Sequence, residues 1–307
     1  MNNTEGMRFP NAVIAGAPKC GTTSIFKFLA DHPDVCASNV KETYFLMDEG
    51  YPLYNPERNV ASHGLEKYSE FFNHCKNSKA KVYLEATPDY LYQTTPLKYL
   101  PNLDPVPEII IVLRKPADRI YSMFQFARNN MAVLDAHITF ADFMNSLRNP
   151  DSALLANRPH LRDAIAHSRY VRYIEPWIKT FGREHIHVLL FEDLVRDSRD
   201  FMQRLCDILQ IAPEFYKSYE FKKQNVTQRV RIQFLHRIVR RVRKLSNGGV
   251  PGGRFAGAIY RRLNAPPATD ARCEEVLRLL ETLNNEFIED NRRLMDLLGL
   301  DLKHWHT

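Results

Sequence analysis

The chain is poor in cysteine, with five in 307 residues (Cys20, Cys36, Cys75, Cys206 and Cys273), an odd count that contains no CxxC pair. That scatter shows neither a disulfide framework nor metal-ligand spacing, and it argues against a small, disulfide-stapled secreted fold. No run approaches the roughly 18 apolar residues that a membrane span needs. Residues 1–10 are polar and lead directly into a short apolar run, without a signal-peptide pattern. Asn2-Asn3-Thr4 and Asn225-Val226-Thr227 match the glycosylation acceptor pattern, but without a secretion route both are discounted. Internal repeats and low-complexity tracts are also missing, which excludes solenoids and arrays. From these absences the expectation is a soluble, cytoplasmic protein.

What is present suits a single large globular domain: 44% of residues are apolar and 25% charged. The net charge of +6 and a pI near 9.0 suggest an anionic partner, whether nucleotide, sulfated sugar, nucleic acid or membrane. Short apolar runs alternate with longer amphipathic ones. Residues 12–15, 81–84, 108–113 and 186–191 read as strands, and residues 22–31, 117–130, 168–181 and 199–209 as helices. Pro116 suits the first turn of the helix after the third of these strands. Strands joined through helices predict a three-layer α/β/α fold with a central parallel sheet. Strand signals stop near Asn225, so a core over residues 10–224 and a mostly helical C-terminal extension over 225–307 are expected, ending in one long helix from about Asp270 to Leu298.

The first strand runs into Gly16-Ala17-Pro18-Lys19-Cys20-Gly21-Thr22-Thr23-Ser24, followed by a helix. Glycines let the backbone turn tightly, so that successive N–H groups face one point, and the helix adds its positive N-terminus there. The hydroxyls of Thr22, Thr23 and Ser24 can supply further donors. This is a P-loop-like anion cradle. It departs from the nucleoside-triphosphate pattern GxxxxGK[ST], because Thr22 stands where that lysine belongs and Lys19 lies earlier. Walker-type enzymes also need a strand-end Asp for Mg²⁺, whereas the apolar strand ending at Leu113 is followed by Arg114. A cation at that tip suits an anion better than a metal.

The pair of motifs resembles the sulfotransferase family, with a GxxKxGTT loop for a 5′-phosphosulfate and a strand ending Val-Leu-Arg-x-Pro-x-x-Arg-x-x-Ser for a 3′-phosphate. Shared stretches are Ala15–Phe28, Lys41–Asp48, Leu84–Leu91, Ile110–Tyr121 and Leu294–Trp305. Within the family the chain is more similar to bacterial and heparan-sulfate-type enzymes than to the cytosolic phenol and steroid group. The resemblance implies the donor 3′-phosphoadenosine 5′-phosphosulfate, held by Lys19, Cys20, Gly21, Thr22, Thr23 and Ser24 at one end and by Arg114 and Ser122 at the other. It also implies that no metal is required. Arg and Ser suit a phosphate physically, as bidentate donor and hydroxyl. Arg119 is read as a donor contact or a structural ion-pair partner. Lys115 stands where relatives usually carry Asp.

Sulfuryl transfer demands in-line attack by an acceptor hydroxyl, removal of its proton, and stabilisation of charge on the leaving oxygen. The resemblance assigns the last task to Lys19. Lys41-Glu42-Thr43-Tyr44-Phe45-Leu46 resembles the Lys-Glu-x-x-Phe-Phe segment whose glutamate is the base, which implies Glu42 as base here. Its competing reading is simple pairing with Lys41. An effective glutamate base near neutrality is expected to have its pKa raised by burial. A histidine base is the alternative used by the phenol group, but no histidine of this chain sits in that group's motif.

Glu85-Ala86-Thr87-Pro88 resembles a segment bordering the acceptor. Ala86 replaces a lysine that is catalytic in heparan-type enzymes, which favours the bacterial branch. Glu85 is read as an acceptor-orienting group or as a strand-end partner. Tyr44, Phe45, Tyr51, Tyr54, Tyr90 and Tyr92 are candidates for stacking on an acceptor.

The arginines between 229 and 244 alternate with an apolar stripe, which reads as a basic helix face rather than a nucleic-acid site. Asn225, Arg229 and the glycine-rich stretch 247–253 are candidates to close over the nucleotide. The expected partners are the nucleotide donor and a carbohydrate, lipid or small-metabolite acceptor carrying a hydroxyl, or less favourably an amine, with no nucleic acid and no membrane span. The alternatives are a P-loop kinase and a nucleotide-binding adaptor without catalysis.

Overall fold

The computed structural model describes residues 7–75, 79–156, 158–222 and 273–305. Asn225, Arg229, the arginine-rich 229–244 and the glycine-rich 247–253 therefore lie outside the described residues, as do both glycosylation-type patterns. The chain divides into two compact units, one of residues 1–115, 166–224 and 287–307, the other of residues 116–165 and 225–286.

The first unit holds the sheet. Its five strands are β1 (Ala12–Gly16), β2 (Val35–Ala37), β3 (Val82–Ala86), β4 (Glu108–Leu113) and β5 (Ile186–Leu190), in the order β2-β3-β1-β4-β5. All pairings are parallel. Every residue of β1 and residues Ile109 to Leu113 of β4 are buried, so the central strands are covered on both faces. The α/β fold expected from the sequence is present. Helix Thr22–Ala30 packs against β2 and β3, and helix Val171–Phe181 packs against β5. The C-terminal helix Ile288–Leu298 lies on Val171–Phe181, where the Arg169 guanidinium pairs with Asp290. Trp305 is fully buried, its ring centroid 6.1 Å from that of Tyr170.

The second unit is helical among its described residues. Helix Pro116–Gln125 runs into a π-type turn, Phe126–Asn130. Helix Phe140–Arg148 is started by a capping box in which Thr139 and Asp142 exchange side-chain and backbone hydrogen bonds. Arg119 is fully buried here and donates to the carbonyl of Ala164 at 3.2 Å.

Three details differ from expectation. β2 was not anticipated, because three residues carry no period. The single long terminal helix is two, Glu274–Glu286 and Ile288–Leu298, separated at Phe287, whose ψ of 0° leaves the helical range. The cysteines are not all free either: Cys36 on β2 and Cys75 form a disulfide, a pairing between residues 39 apart that no spacing rule could show. Among the described residues no helix is long and apolar enough to cross a membrane.

Candidate active site

In a parallel sheet the strands all end at one edge, and ligands bind there. Here the segments after β1, β2, β3 and β4 carry Lys19, Glu42, Thr87 and Arg114.

The segment after β1 leaves the sheet through an irregularity. Ile14 pairs with Ile110 but Gly16 with Ile111, a register shift at the point of departure. Ala17 N–H still donates to Val112 O at 2.8 Å, which holds the loop against β4. Lys19 has φ 71° and Gly21 φ 81°, two left-handed residues in one turn. Gly21 is the N-cap of helix Thr22–Ala30, with no side-chain cap and no acidic residue in the first turn. The positive end of that helix is thus left for an anion. Thr22 is buried, and Thr23 and Ser24 are half-buried beside it. Cys20 points inward, its Sγ 4.0 Å from the Tyr170 hydroxyl, and its N–H donates to Ala17 O at 3.3 Å. It shapes the turn from within.

Arg114 follows β4. Its guanidinium lies over the Phe191 ring at 4.6 Å, and Nη1 is 3.5 Å from the carbonyl of Lys19. Its own carbonyl accepts from the Tyr170 hydroxyl at 2.8 Å. Tyr170 therefore braces the loop at Cys20 and the strand end at Arg114 together. Lys115 N–H donates to Glu192 Oε1 at 2.9 Å, so a glutamate on the next segment holds the backbone where relatives carry Asp. Ser122 is half-buried on helix Pro116–Gln125 of the second unit.

The segment after β2 carries Glu42. It is laced to β3 by Ser38 N–H to Leu84 O (2.8 Å) and Glu42 N–H to Ala86 O (2.9 Å). Glu42 and Tyr44 both have positive φ, 66° and 54°. Of the five non-glycine residues in this region of the backbone among those described, Lys19, Glu42 and Tyr44 are three. Left-handed backbone costs an L-residue about 1–2 kcal/mol, and such conformations cluster at functional sites. The twist brings Tyr44 back onto Glu42, its hydroxyl donating to Oε2 at 2.6 Å, while Lys41 pairs with Oε1.

The electrostatics correct one expectation. Burial does push the Glu42 carboxyl upward, but the Lys41 charge, hydrogen bonds from Lys41 and Tyr44, and the Lys19 charge outweigh it. Glu42 is held below the usual glutamate range and is ionised at neutral pH. The pairing with Lys41 is real. The Lys19 charge acts in the same direction and contributes least.

The raised carboxyl is Glu85, on β3. Fully buried at the end of β3, it is pushed up to about 7 by burial, partly opposed by hydrogen bonds from Thr87 and Thr43. Its Oε1 accepts from Thr87 Oγ1 (2.6 Å) and Thr43 Oγ1 (2.9 Å), and its Oε2 has no partner. Thr43 Oγ1 also lies 3.0 Å from the Tyr90 hydroxyl, which accepts from Leu46 N–H at 3.1 Å. This network fixes the backbone just after Glu42, at Thr43 and Leu46.

The aromatic residues separate clearly. Phe45 and Tyr90 are fully buried and belong to the core. Tyr92 stacks on His167 at 3.7 Å and Tyr51 donates to Asp89 at 2.9 Å, while Tyr44 serves Glu42. Sequence reasoning missed Tyr44 as a partner of Glu42, Phe191 beneath Arg114, and Tyr170. Tyr44 had a weak signal, two residues from Glu42; the other two are brought in from distant segments.

An uncapped helix N-terminus beside a strand-end arginine suits a transferase that takes a phosphorylated donor. The sulfotransferase domain family matches residues 9–239. The chain belongs to the sulfotransferase family, whose donor is 3′-phosphoadenosine 5′-phosphosulfate. It is similar to bifunctional heparan sulfate N-deacetylase/N-sulfotransferase 1 of Mus musculus, 28% identical over 184 residues, which cover 59% of this chain and 20% of that protein. The Xenopus laevis counterpart is 27% identical over 218 residues, 70% of this chain and 24% of that protein. The chain thus spans about a fifth to a quarter of the length of these relatives. A sulfotransferase from Alicyclobacillus acidocaldarius shares the fold, with a TM-score of 0.67 at 20% identity, covering 98% of this chain and 100% of that one. Neither the kinase nor the adaptor alternative is favoured by this membership.

Proposed function

We propose that this chain transfers a sulfuryl group from 3′-phosphoadenosine 5′-phosphosulfate to a hydroxyl of a carbohydrate or similar acceptor, with Lys19 at the leaving oxygen and Glu42 as base. The observation that carries the reading is the turn after β1, where left-handed Lys19 and Gly21 lead into an uncapped helix N-terminus with Arg114 against the Lys19 carbonyl. The 5′-phosphosulfate lies on the N-terminus of helix Thr22–Ala30, with Gly21 for the turn and Thr22, Thr23 and Ser24 as donors; Cys20 holds the turn. Arg114 takes the 3′-phosphate, and Ser122 keeps the role that the family resemblance gives it. The carbohydrate class is supported by the names of the curated relatives, and Ala86 argues against an acceptor of strictly heparan type.

A low-pKa base serves this reaction when proton transfer is late, after attack on sulfur has acidified the hydroxyl. Lys19 supplies charge where the bridging oxygen becomes anionic, the kind of contact whose loss typically costs about 10²–10³ in kcat. Transfer is proposed to need no metal, since Arg114 follows the strand where metal-dependent relatives of the loop place Asp. A cytoplasmic location remains part of the proposal; in such a reducing compartment Cys36 and Cys75 would be thiols.

The test is a mass-resolved transfer assay over a panel of hydroxylated and aminated saccharides, with each donor in turn. Sulfated product with chelator present is expected, lowered about 10²-fold or more by Lys19→Ala and by Glu42→Gln. Mg²⁺-dependent ATP turnover, or full activity in both variants, overturns the reading.

A further inference from the structure

Away from the strand ends, one cluster of metal-ligating side chains occurs among the described residues: Cys36, His74 and Cys75, whose ligand atoms all lie within 4.8 Å of one another. Cys36 sits on β2 and is half-buried. His74 and Cys75 close the 3₁₀ helix Glu70–Cys75, the histidine exposed and the cysteine buried. The two sulfurs are joined, with 6.1 Å between the Cα atoms. The imidazole stands over the bridge, its Nε2 3.7 Å from Cys36 Sγ and 3.5 Å from Cys75 Sγ.

A disulfide sulfur is a weak hydrogen-bond acceptor, so the bridge itself gives little reason for a histidine nitrogen nearly equidistant from both sulfurs. A metal does. Zinc binds thiolate at ~2.3 Å and imidazole at ~2.0–2.1 Å, so tetrahedral geometry separates N from S by about 3.5–3.6 Å and S from S by about 3.8 Å. Both nitrogen–sulfur edges are already at that length. Only the sulfur–sulfur edge must open, which side-chain rotation supplies once the bond is cleaved. The exposed side of His74 leaves the fourth position to water.

We propose that Cys36, His74 and Cys75 form a redox-gated site for a thiophilic divalent cation such as zinc: a disulfide when oxidised, a Cys₂His metal site when reduced. A dithiol reductant drives the change. One of its thiolates attacks a bridge sulfur and its second thiol closes the reductant's own disulfide, leaving two cysteine thiols. The cation then displaces both thiol protons and takes the neutral imidazole through Nε2. Both states tie β2 to the 3₁₀ helix, one by a covalent bond and the other by a metal.

The test uses the full chain with Cys273→Ser, which removes the exposed free cysteine. The protein is reduced with a trialkylphosphine, freed of reductant without air, and titrated with Co²⁺. Thiolate-to-cobalt charge-transfer absorption and tetrahedral ligand-field bands are read, followed by displacement with Zn²⁺. One Co²⁺ per chain is expected after reduction and none before it. Cys36→Ser and Cys75→Ser should each abolish the signal, and His74→Ala should weaken binding at least tenfold. Because His74 is exposed, that variant keeps the test valid even where a serine variant fails to fold. Absence of binding to the reduced chain, equal binding to the oxidised chain, or an affinity unchanged by His74→Ala overturns the proposal.

Discussion

Glu42 and Glu85 are two carboxyls of one network driven in opposite directions. Glu42 is held low by Lys41, Tyr44 and Lys19, and Glu85 is lifted to about 7 by complete burial. If Glu42 is the base, the acid limb of kcat/KM lies below the ordinary glutamate value and the profile is flat through neutrality. A limb near 7 would instead assign the essential ionisation to Glu85. Tyr44→Phe removes the 2.6 Å hydrogen bond to Glu42. A hydrogen bond to a charged group is worth about 1.5–3 kcal/mol, so the limb should move up by about one pH unit or somewhat more. A pH–rate series on the two proteins checks this, and an unmoved limb removes Glu42 from the rate expression. Glu85 makes a separate prediction about stability. Its folded value is raised, so between about 4.5 and 7 the folded state holds a proton that the unfolded state has released. Stability from this group is therefore full below about 4.5, declines as pH rises to about 7, and is level above. A rise of about 2.5 at about 1.4 kcal/mol per pH unit makes the decline on the order of 3 kcal/mol. Urea unfolding of wild type and Glu85→Gln across this range should show the decline in the wild type alone.

At the scale of elements, the phosphate loop depends on one backbone conformation. Gly21 has φ 81°, and a Cβ there would lie 2.9 Å from Phe191 Cδ2 and 3.0 Å from Leu194 Cδ2. Gly21→Ala should cost about 1–2 kcal/mol for the left-handed backbone and more for the contact. Because Phe191 also underlies Arg114, product-nucleotide affinity should fall along with the denaturant midpoint. A variant that loses stability yet binds nucleotide normally would separate the loop from the site. The loop was legible because strand, glycine turn, hydroxyls and helix follow each other in sequence. β4 was legible to the residue, Glu108–Leu113, because a buried parallel strand is an unbroken aliphatic run. β2 was not, since Val-Cys-Ala is defined by pairing with β3 rather than by its own pattern. Phe191 read as the end of β5 but opens the helix Phe191–Arg196, an ambiguity normal at element boundaries. The state of Glu42 was unreadable for a related reason. Local pattern puts Lys41 and Tyr44 near it in sequence, yet only the positive φ at positions 42 and 44 turns both onto one carboxylate.

At the scale of the whole molecule, a net charge of +6 raises attraction for any polyanion and so identifies none. Specificity must come from where single cations stand. 3′-Phosphoadenosine 5′-phosphate carries both terminal phosphates of the donor, whereas adenosine 5′-phosphate lacks the one assigned to Arg114. A ligand that binds only the folded state stabilises it by about 2.7 kcal/mol at a hundredfold excess over Kd, and a kcal/mol moves the Tm of a chain somewhat shorter than this one by about 2–4 °C. The bisphosphate should therefore raise Tm by about 5 °C, adenosine 5′-phosphate by clearly less, and Mg²⁺ should change neither. Lys19→Ala should weaken both ligands, because it acts at the 5′ end. Arg114→Ala should weaken the bisphosphate at least tenfold while leaving adenosine 5′-phosphate nearly unchanged, which erases the preference between them. Ser122→Ala should narrow that preference by less, since a neutral hydroxyl contributes less than a guanidinium. Generic attraction to a basic surface would make all three substitutions weaken both ligands alike and would disappear in moderate salt. A preference that survives salt and is erased by Arg114→Ala alone locates the second phosphate at the end of β4.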